Sequence, residues 1–365
     1  MGNFFNFLTN SFSQKKDVSV VGIDIGSSAI KMVQLQKRKG RAVLETYGEL
    51  ALGPYMGLEI GKATRLSTEK TVLALTDLFR EANITTRNAG VAIPMRQSMV
   101  SVLTLPTKNT NELKTMVPIE ARKYIPMPIS EVTLDWFAIP KRNEMEESAN
   151  STDVLAVAIH NDTLSQFSAI VQQAQIQATF FEVELFSTVR SVVDVQESKP
   201  VMIFDMGAGA TKLYVIERGV VRDSHTINRG GQDITAGISR TLGVASDFAE
   251  QLKRNSGKNT PDQEKAINEV RDLVMNPVFN EASAAILNYE RKANKTISKI
   301  VLVGGGVLLS GIKESAEQYL RIPVENGNPF EKVEAPAFLE KTLSETGPGF
   351  ATAIGLALRK LQDSD

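Results

Sequence analysis

An apolar run that ends in Asp-x-Gly and resumes as a second apolar run, with a lysine at the eighth position, occurs twice in this chain. The copies are Asp24-Ile-Gly26-Ser-Ser-Ala-Ile-Lys31 and Asp205-Met-Gly207-Ala-Gly-Ala-Thr-Lys212, 181 residues apart. The runs before the aspartates, Val18 to Ile23 and Val201 to Phe204, are short and rich in Val and Ile, as buried strands are. The glycine lets the backbone turn sharply and bring N–H groups against an anion, and Ser27 and Ser28 add hydroxyl donors. Second strands lead away over Ile30 to Leu35 and Lys212 to Glu217. One such turn is equally a surface hairpin with a charged rim. Two in the same register predict a nucleotide held between two lobes.

Size and charge are consistent with that. The chain has 365 residues, enough for two ordinary domains, and 42% hydrophobic residues, enough for real cores. A net charge of -1 argues against nucleic-acid partners, which need a basic surface. With no cysteine, disulfides, thiolate metal sites and cysteine nucleophiles are excluded, and with only His160 and His225 a histidine metal site is not expected. No apolar stretch reaches the roughly 18 to 20 residues that cross a bilayer, and no signal-peptide pattern opens the chain. A cytoplasmic location is expected.

Along the chain, residues 1–16 place Phe4, Leu8 and Phe12 on one helical face, closed by Lys15 and Lys16. This segment is either a tail that packs on its own domain or a weak membrane or partner contact. Three strands follow to about Leu52, with a turn at Lys37 to Gly40, then a helix over 69–82 burying Val72, Leu75, Leu78 and Phe79. Residues 88–165 read as an inserted α+β module. Its strands are expected at 90–93, 99–105, 132–139 and 154–159, with a helix over 111–124 and a polar loop over 141–153. Pro118 inside that helix should kink or split it. A helix from Asp162 returns the chain to the first lobe. Residues 201–228 and 299–365 form the second lobe, with a helical or mixed subdomain at 229–298; 17–87 and 166–200 form the first. The last helix, from Gly349 to Leu361, must dock to be stable.

Asp24 and Asp205 are the acids expected around a Mg²⁺ ion, which takes a few carboxylates plus phosphate oxygens and water. Gly304, Gly305 and Gly306 follow an apolar strand and remove side chains where a ring or phosphate could approach the backbone; a plain strand-to-helix turn would read the same way. The segment Phe180 to Arg190 carries two acids, Glu182 and Glu184. One of them could orient an attacking water, or be a solvated helix-end acid.

These pieces resemble the actin-like ATPase superfamily. Its five signature elements match here in order: Ile23 to Ser28, the connecting helix Glu184 to Val193, Phe204 to Gly207, Leu302 to Gly306 and the helix Gly349 to Ala357. Ala249-Glu250-Gln-Leu-Lys253 resembles an Ala-Glu-x-x-Lys element whose acid meets the ribose, which makes Glu250 and Lys253 candidate nucleoside contacts. Val117-Pro-Ile-Glu120-Ala-Arg-Lys-Tyr124-Ile-Pro126-Met-Pro128, the following Glu131 to Trp136, and Asn228-Arg-Gly230-Gly231-Gln-Asp-Ile-Thr235 are similar to the PilM family of type IV pilus assembly proteins, over about residues 18–362. The resemblance implies an α/β fold of two lobes, each with a ribonuclease-H-like core, plus an FtsA-like inserted subdomain at 88–165. It implies ATP and Mg²⁺ as cofactors. The implied contacts are Asp24, Gly26, Ser27, Ser28, Lys31, Asp205, Gly207, Ala208, Thr211, Gly230, Gly231, Glu250, Lys253 and Gly304 to Gly306, with Glu184 as the candidate for water activation.

A scaffold for pilus assembly is the leading expectation, recruited to the cytoplasmic face of the inner membrane, with slow hydrolysis at most. Its implied partners are the N-terminal peptide of a PilN-like single-pass inner-membrane protein, other platform and motor components, and a second copy of itself. Candidate peptide contacts are Val91, Ile93, Met95, Val117, Ala121 and Tyr124, in a groove between the first lobe and the module; the alternative is that they form the module's own core. A phosphotransferase or hydrolase is the competing expectation, but no base and polar set for a sugar hydroxyl is identifiable. An FtsA-like division filament protein is another, although its usual C-terminal amphipathic membrane helix is not expected from Arg359 to Asp365.

Overall fold

The structure, a computed structural model, describes residues 18–140, 150–194 and 196–363. The chain runs β1 (Ser19–Ile25), β2 (Ala29–Arg38), β3 (Arg41–Ala51), α1 (Thr68–Glu81) and β4 (Asn88–Ile93). An inserted stretch follows with β5 (Ser98–Leu105), α2 (Thr110–Ala121), β6 (Val132–Ala138) and β7 (Thr152–His160). Then come α3 (Asn161–Gln173), β8 (Gln177–Val183) and α4 (Glu184–Val192). The second half runs β9 (Val201–Met206), β10 (Thr211–Glu217), β11 (Val220–Ile227), α5 (Gly231–Leu242), α6 (Ser246–Arg254) and α7 (Pro261–Ala293). It closes with β12 (Lys299–Val303), α8 (Ile312–Leu320), β13 (Val324–Asn326), α9 (Glu340–Thr346) and α10 (Ala351–Gln362).

Two five-stranded sheets share one plan. The first is ordered β3-β2-β1-β4-β8 and the second β11-β10-β9-β12-β13. In each, the first three strands are antiparallel and the last two join in parallel. The matched hairpins pair in the same register: Asp24 lies opposite Lys31, and Asp205 opposite Lys212. Local chemistry sets these elements. Lys39 (φ 48) and Gly40 (φ 81) both take left-handed backbone in the β2–β3 turn, which suits a two-residue hairpin. Ser67 caps α1 by accepting from the Lys70 N–H, and Thr260 and Gln263 form the capping box of α7.

The first sheet's α1/α3 face buries Ile23, Val91, Leu75 and Phe167. Its other face, through Val20, Val33 and Leu35, is covered by Ile354 and Leu361 of α10. Thus the last helix leaves the second sheet and docks on the first, against α4 as well. The approach is closer than side chains allow: a Cβ at Gly22 would lie 1.9 Å from the Ala353 carbonyl oxygen, and one at Gly355 1.8 Å from that of Ser187. The second lobe's core gathers α5, α7 and the face of β9 and β12 around Phe204 and Phe279.

The inserted stretch folds as an antiparallel sheet ordered β5-β7-β6. α2 covers one face with Leu113, Val117 and Ala121. The other face, through Leu155 and Val157, packs toward Ile203 and Tyr214 of the second sheet. Of the two outcomes expected of Pro118, a kink or a split, the split does not occur. Proline's fixed φ is helical, so it forfeits one hydrogen bond, and buried Val117 and Ala121 hold the turn on either side. β7 starts at Thr152, two residues early, because the Thr152 hydroxyl is buried and donates to the Thr107 carbonyl oxygen at 2.6 Å. The N-terminal face of Phe4, Leu8 and Phe12, and most of the polar loop at 141–153, lie outside the described residues.

Candidate functional site

Both Asp-x-Gly turns close the same way. Gly26 N–H donates to the Ala29 carbonyl at 3.0 Å, and Gly207 N–H to that of Ala210 at 2.9 Å. The ends of β1, β9 and β12 and the starts of α4, α5 and α10 converge around them. Gly304 takes φ +89, and a Cβ there would sit 2.6 Å from Asp205 Oδ1. Its N–H donates to the Pro348 carbonyl oxygen at 2.8 Å. Gly306 presses on Met206, where a Cβ would meet Cγ at 2.5 Å. Gly230 lies against the second turn, 2.6 Å from the Gly207 and Ala208 carbonyl oxygens at its Cβ position. The Gly231 N–H donates to Gly207 O at 3.0 Å, and the buried Thr211 hydroxyl to Arg229 O at 2.8 Å.

The two hairpin lysines have different fates. Lys31 Nζ reaches the start of α10 and donates to the Gly349 carbonyl oxygen at 2.7 Å. Lys212 turns inward to Asp205 at 3.0 Å and Glu184 at 2.9 Å. Burial opposes its charge, but the two acids outweigh it and hold the ammonium well above its ordinary value. Asp24 goes the opposite way. Burial and then the nearby Glu184 push its carboxyl up to about 7, against the pull of Lys31 and Lys212. A carboxyl so destabilised as an anion gains from any added cation.

A nucleotide fits this set. Glycine turns and a side-chain-free strand end let a phosphate approach the backbone closely, and Lys31 and Lys212 offer charge. Asp24 and Asp205 supply the oxygen donors that Mg²⁺ prefers. Among the described residues no group of three or more His, Cys, Asp or Glu could hold an ion by itself, so the remaining ligands would be phosphate oxygens and water. A bound ion would neutralise phosphate charge.

Glu250 and Lys253 meet across α6 at 2.6 Å, and Lys253 also donates to Gly231 O at 3.1 Å. Burial pushes the Glu250 carboxyl up, but Lys253, Thr235 and Arg254 outweigh it and hold it below the usual range. Gly61 (φ +87) lies against it, so close that a Cβ would be 2.5 Å from Cδ. This contact belongs to a strap that sequence reasoning missed. From the first lobe the Thr64 N–H donates to Ser27 O at 2.8 Å, and the Ala63 N–H to Gln232 Oε1 of the second lobe at 3.1 Å. The strap carries no motif, so only the fold reveals it. Lys212 was the legible omission: it holds the same position in its copy as Lys31.

The six candidate peptide contacts are not brought together. Val91 and Ile93 are sealed in the first lobe's core, Met95 joins a cluster with Val183 and Leu185, and Val117 and Ala121 line α2's inner face. Strand periodicity puts Val91 and Ile93 inward, and helical periodicity does the same for Val117 and Ala121. Tyr124 alone is exposed, at 47%. It borders a small apolar hollow between the end of α2 and the module's sheet, which it shares with Ala121 and which Met99, Leu103, Ile125 and Leu134 also line.

Among the described residues no helix is long and apolar enough to cross a membrane. A solved PilM–PilN type IV pilus biogenesis complex superposes with a TM-score of 0.79 and 22% identity, covering 94% of this chain and 99% of that one. The ethanolamine utilization protein EutJ of Carboxydothermus hydrogenoformans gives 0.52 and 15%, covering 97% and 96%. Cell division protein FtsA of Streptococcus pneumoniae is 24% identical over 379 residues, 92% of this chain and 79% of that protein. The fold is the actin-like one expected. The model of the type IV pilus assembly protein PilM family matches residues 22–361, and the chain belongs to that family.

Proposed function

We propose that the chain is an ATP-binding scaffold of the type IV pilus inner-membrane platform. It works at the cytoplasmic face and holds the N-terminal tail of a PilN-like membrane protein. Other platform and motor components, and further copies of the chain, are the remaining partners of such a scaffold. The observation that carries this reading is that one family match runs through both hairpins and the inserted module together.

ATP with Mg²⁺ sits between the turns at Gly26 and Gly207. Asp205→Ala should weaken ATP binding about tenfold or more, the scale of one charge-assisted contact, with the fold kept by circular dichroism. Equal calorimetric affinity in both proteins would remove the nucleotide from this cleft.

The peptide lies along β6, which among the described residues pairs only with β7, and packs an apolar side chain against the exposed Tyr124. Strand addition to an exposed sheet edge is a common mode of peptide capture. Fluorescence titration with the partner's N-terminal peptide should show Tyr124→Ala binding at least about fivefold more weakly, as loss of an aromatic contact at an interface does. Unchanged affinity would place the peptide elsewhere.

A further inference from the structure

Glu184 heads α4 with both carboxylate oxygens engaged. Oε2 takes the Lys212 ammonium at 2.9 Å, and Oε1 accepts the backbone N–H of Met95 at 2.6 Å. Met95 begins the short turn Met95–Gln97 between β4 and β5, where the chain leaves the first sheet for the inserted module. Asp205, on the other side of Lys212, forms the second phosphate turn. A continuous line of charge-assisted hydrogen bonds therefore runs Asp205, Lys212, Glu184, Met95. It starts at the cleft and ends at the module's hinge. Glu184 is 8% exposed and Asp205 7%, so little water competes for these bonds.

We propose that Glu184 is a positioning residue that couples nucleotide occupancy to the inserted module through Lys212 and the Met95 amide. The proposal rests on the ATP-binding reading above. An ammonium has three N–H donors; two go to Asp205 and Glu184, and a phosphate at the 205–208 turn would take the third. Lys212 is then fixed by three acceptors, Glu184 is held against it, and the Met95 N–H bond tightens. Coupling is reciprocal: a peptide that stiffens the module should raise ATP affinity by the same factor by which ATP raises peptide affinity.

Hydrogen exchange reads this directly, because the amide in question is itself the end of the line. Mass spectrometry of the stretch 94–98 should show about tenfold slower exchange at Met95 when wild-type protein is saturated with Mg-ATP, the scale of one strengthened charge-assisted bond. Lys212→Met removes the ammonium. Glu184→Gln keeps an acceptor for Met95 but loses the ion pair. Each variant is compared at equal ATP occupancy, set from its own calorimetric affinity, and in each the slowing should vanish. Bound ATP with unchanged exchange in wild type, or full slowing in a folded variant, would overturn the coupling alone. A wild type that binds no ATP would overturn the ATP-binding reading and the coupling with it.

Discussion

Glu182→Ala should lower the unfolding free energy by about 3–5 kcal/mol, as breaking a buried charge pair from one side does. The Glu182 side chain is 5% exposed. It accepts Arg190 at 2.8 and 2.9 Å, Arg359 of α10 at 2.6 Å, and the Ser187 hydroxyl. Removing it leaves two guanidinium groups facing each other at the joint of β8, α4 and α10. Urea denaturation checks the size of the effect. A loss below about 1 kcal/mol, the range of exposed pairs, would mean that solvent already screens this joint.

The same carboxyl sets an acid limit. Burial pushes it up, but Arg190, Ser187 and Arg359 outweigh burial and hold it below its ordinary 4.5. With the folded value below the unfolded one, the stabilisation is complete above 4.5 and is lost as pH falls below that through the folded value. The melting temperature of wild type should therefore fall faster with acid below 4.5 than that of Glu182→Gln, and parallel curves would refute this.

Gly355→Val should be at least as damaging. A Cβ there falls 1.8 Å from the Ser187 carbonyl oxygen, which is backbone and cannot swing aside. α10 would have to lift from α4, at about 3 kcal/mol or more, the upper end of overpacking. At about 2–4 °C per kcal/mol for chains of this class, thermal unfolding should begin about 6 °C lower or more. A shift within 2 °C, about the effect of a single kcal/mol at the low end of that scale, would contradict the close α10–α4 contact.

Much of the frame was legible because it is periodic and local. The Asp-x-Gly hairpins, the turn at Lys39 and Gly40, and the helix beginning after Ser67 each announce themselves within a dozen residues. What was not legible depends on contacts between distant parts. Gly61 has no meaning until Glu250 lies against it, and Gln232 none until Ala63 arrives. Val91 and Ile93 read as core first and groove second, since a strand's inward face looks the same whether a helix or a peptide covers it. The structure settles them as core. Pro118 leaves α2 in one piece because buried neighbours hold the turn on both sides of it, whereas propensity describes an isolated helix.

The docking of α10 on the first sheet also has a bearing on how the chain is made. Val20, Val33 and Leu35 share their core with residues from near the chain's end, from Phe330 to Leu361. A ribosome adding about 5–20 residues per second therefore leaves that apolar face bare for tens of seconds after β1 and β2 have emerged. Over that interval the nascent first lobe is a natural client for a hydrophobic-binding chaperone. Its native state cannot be completed until the final helix has been made.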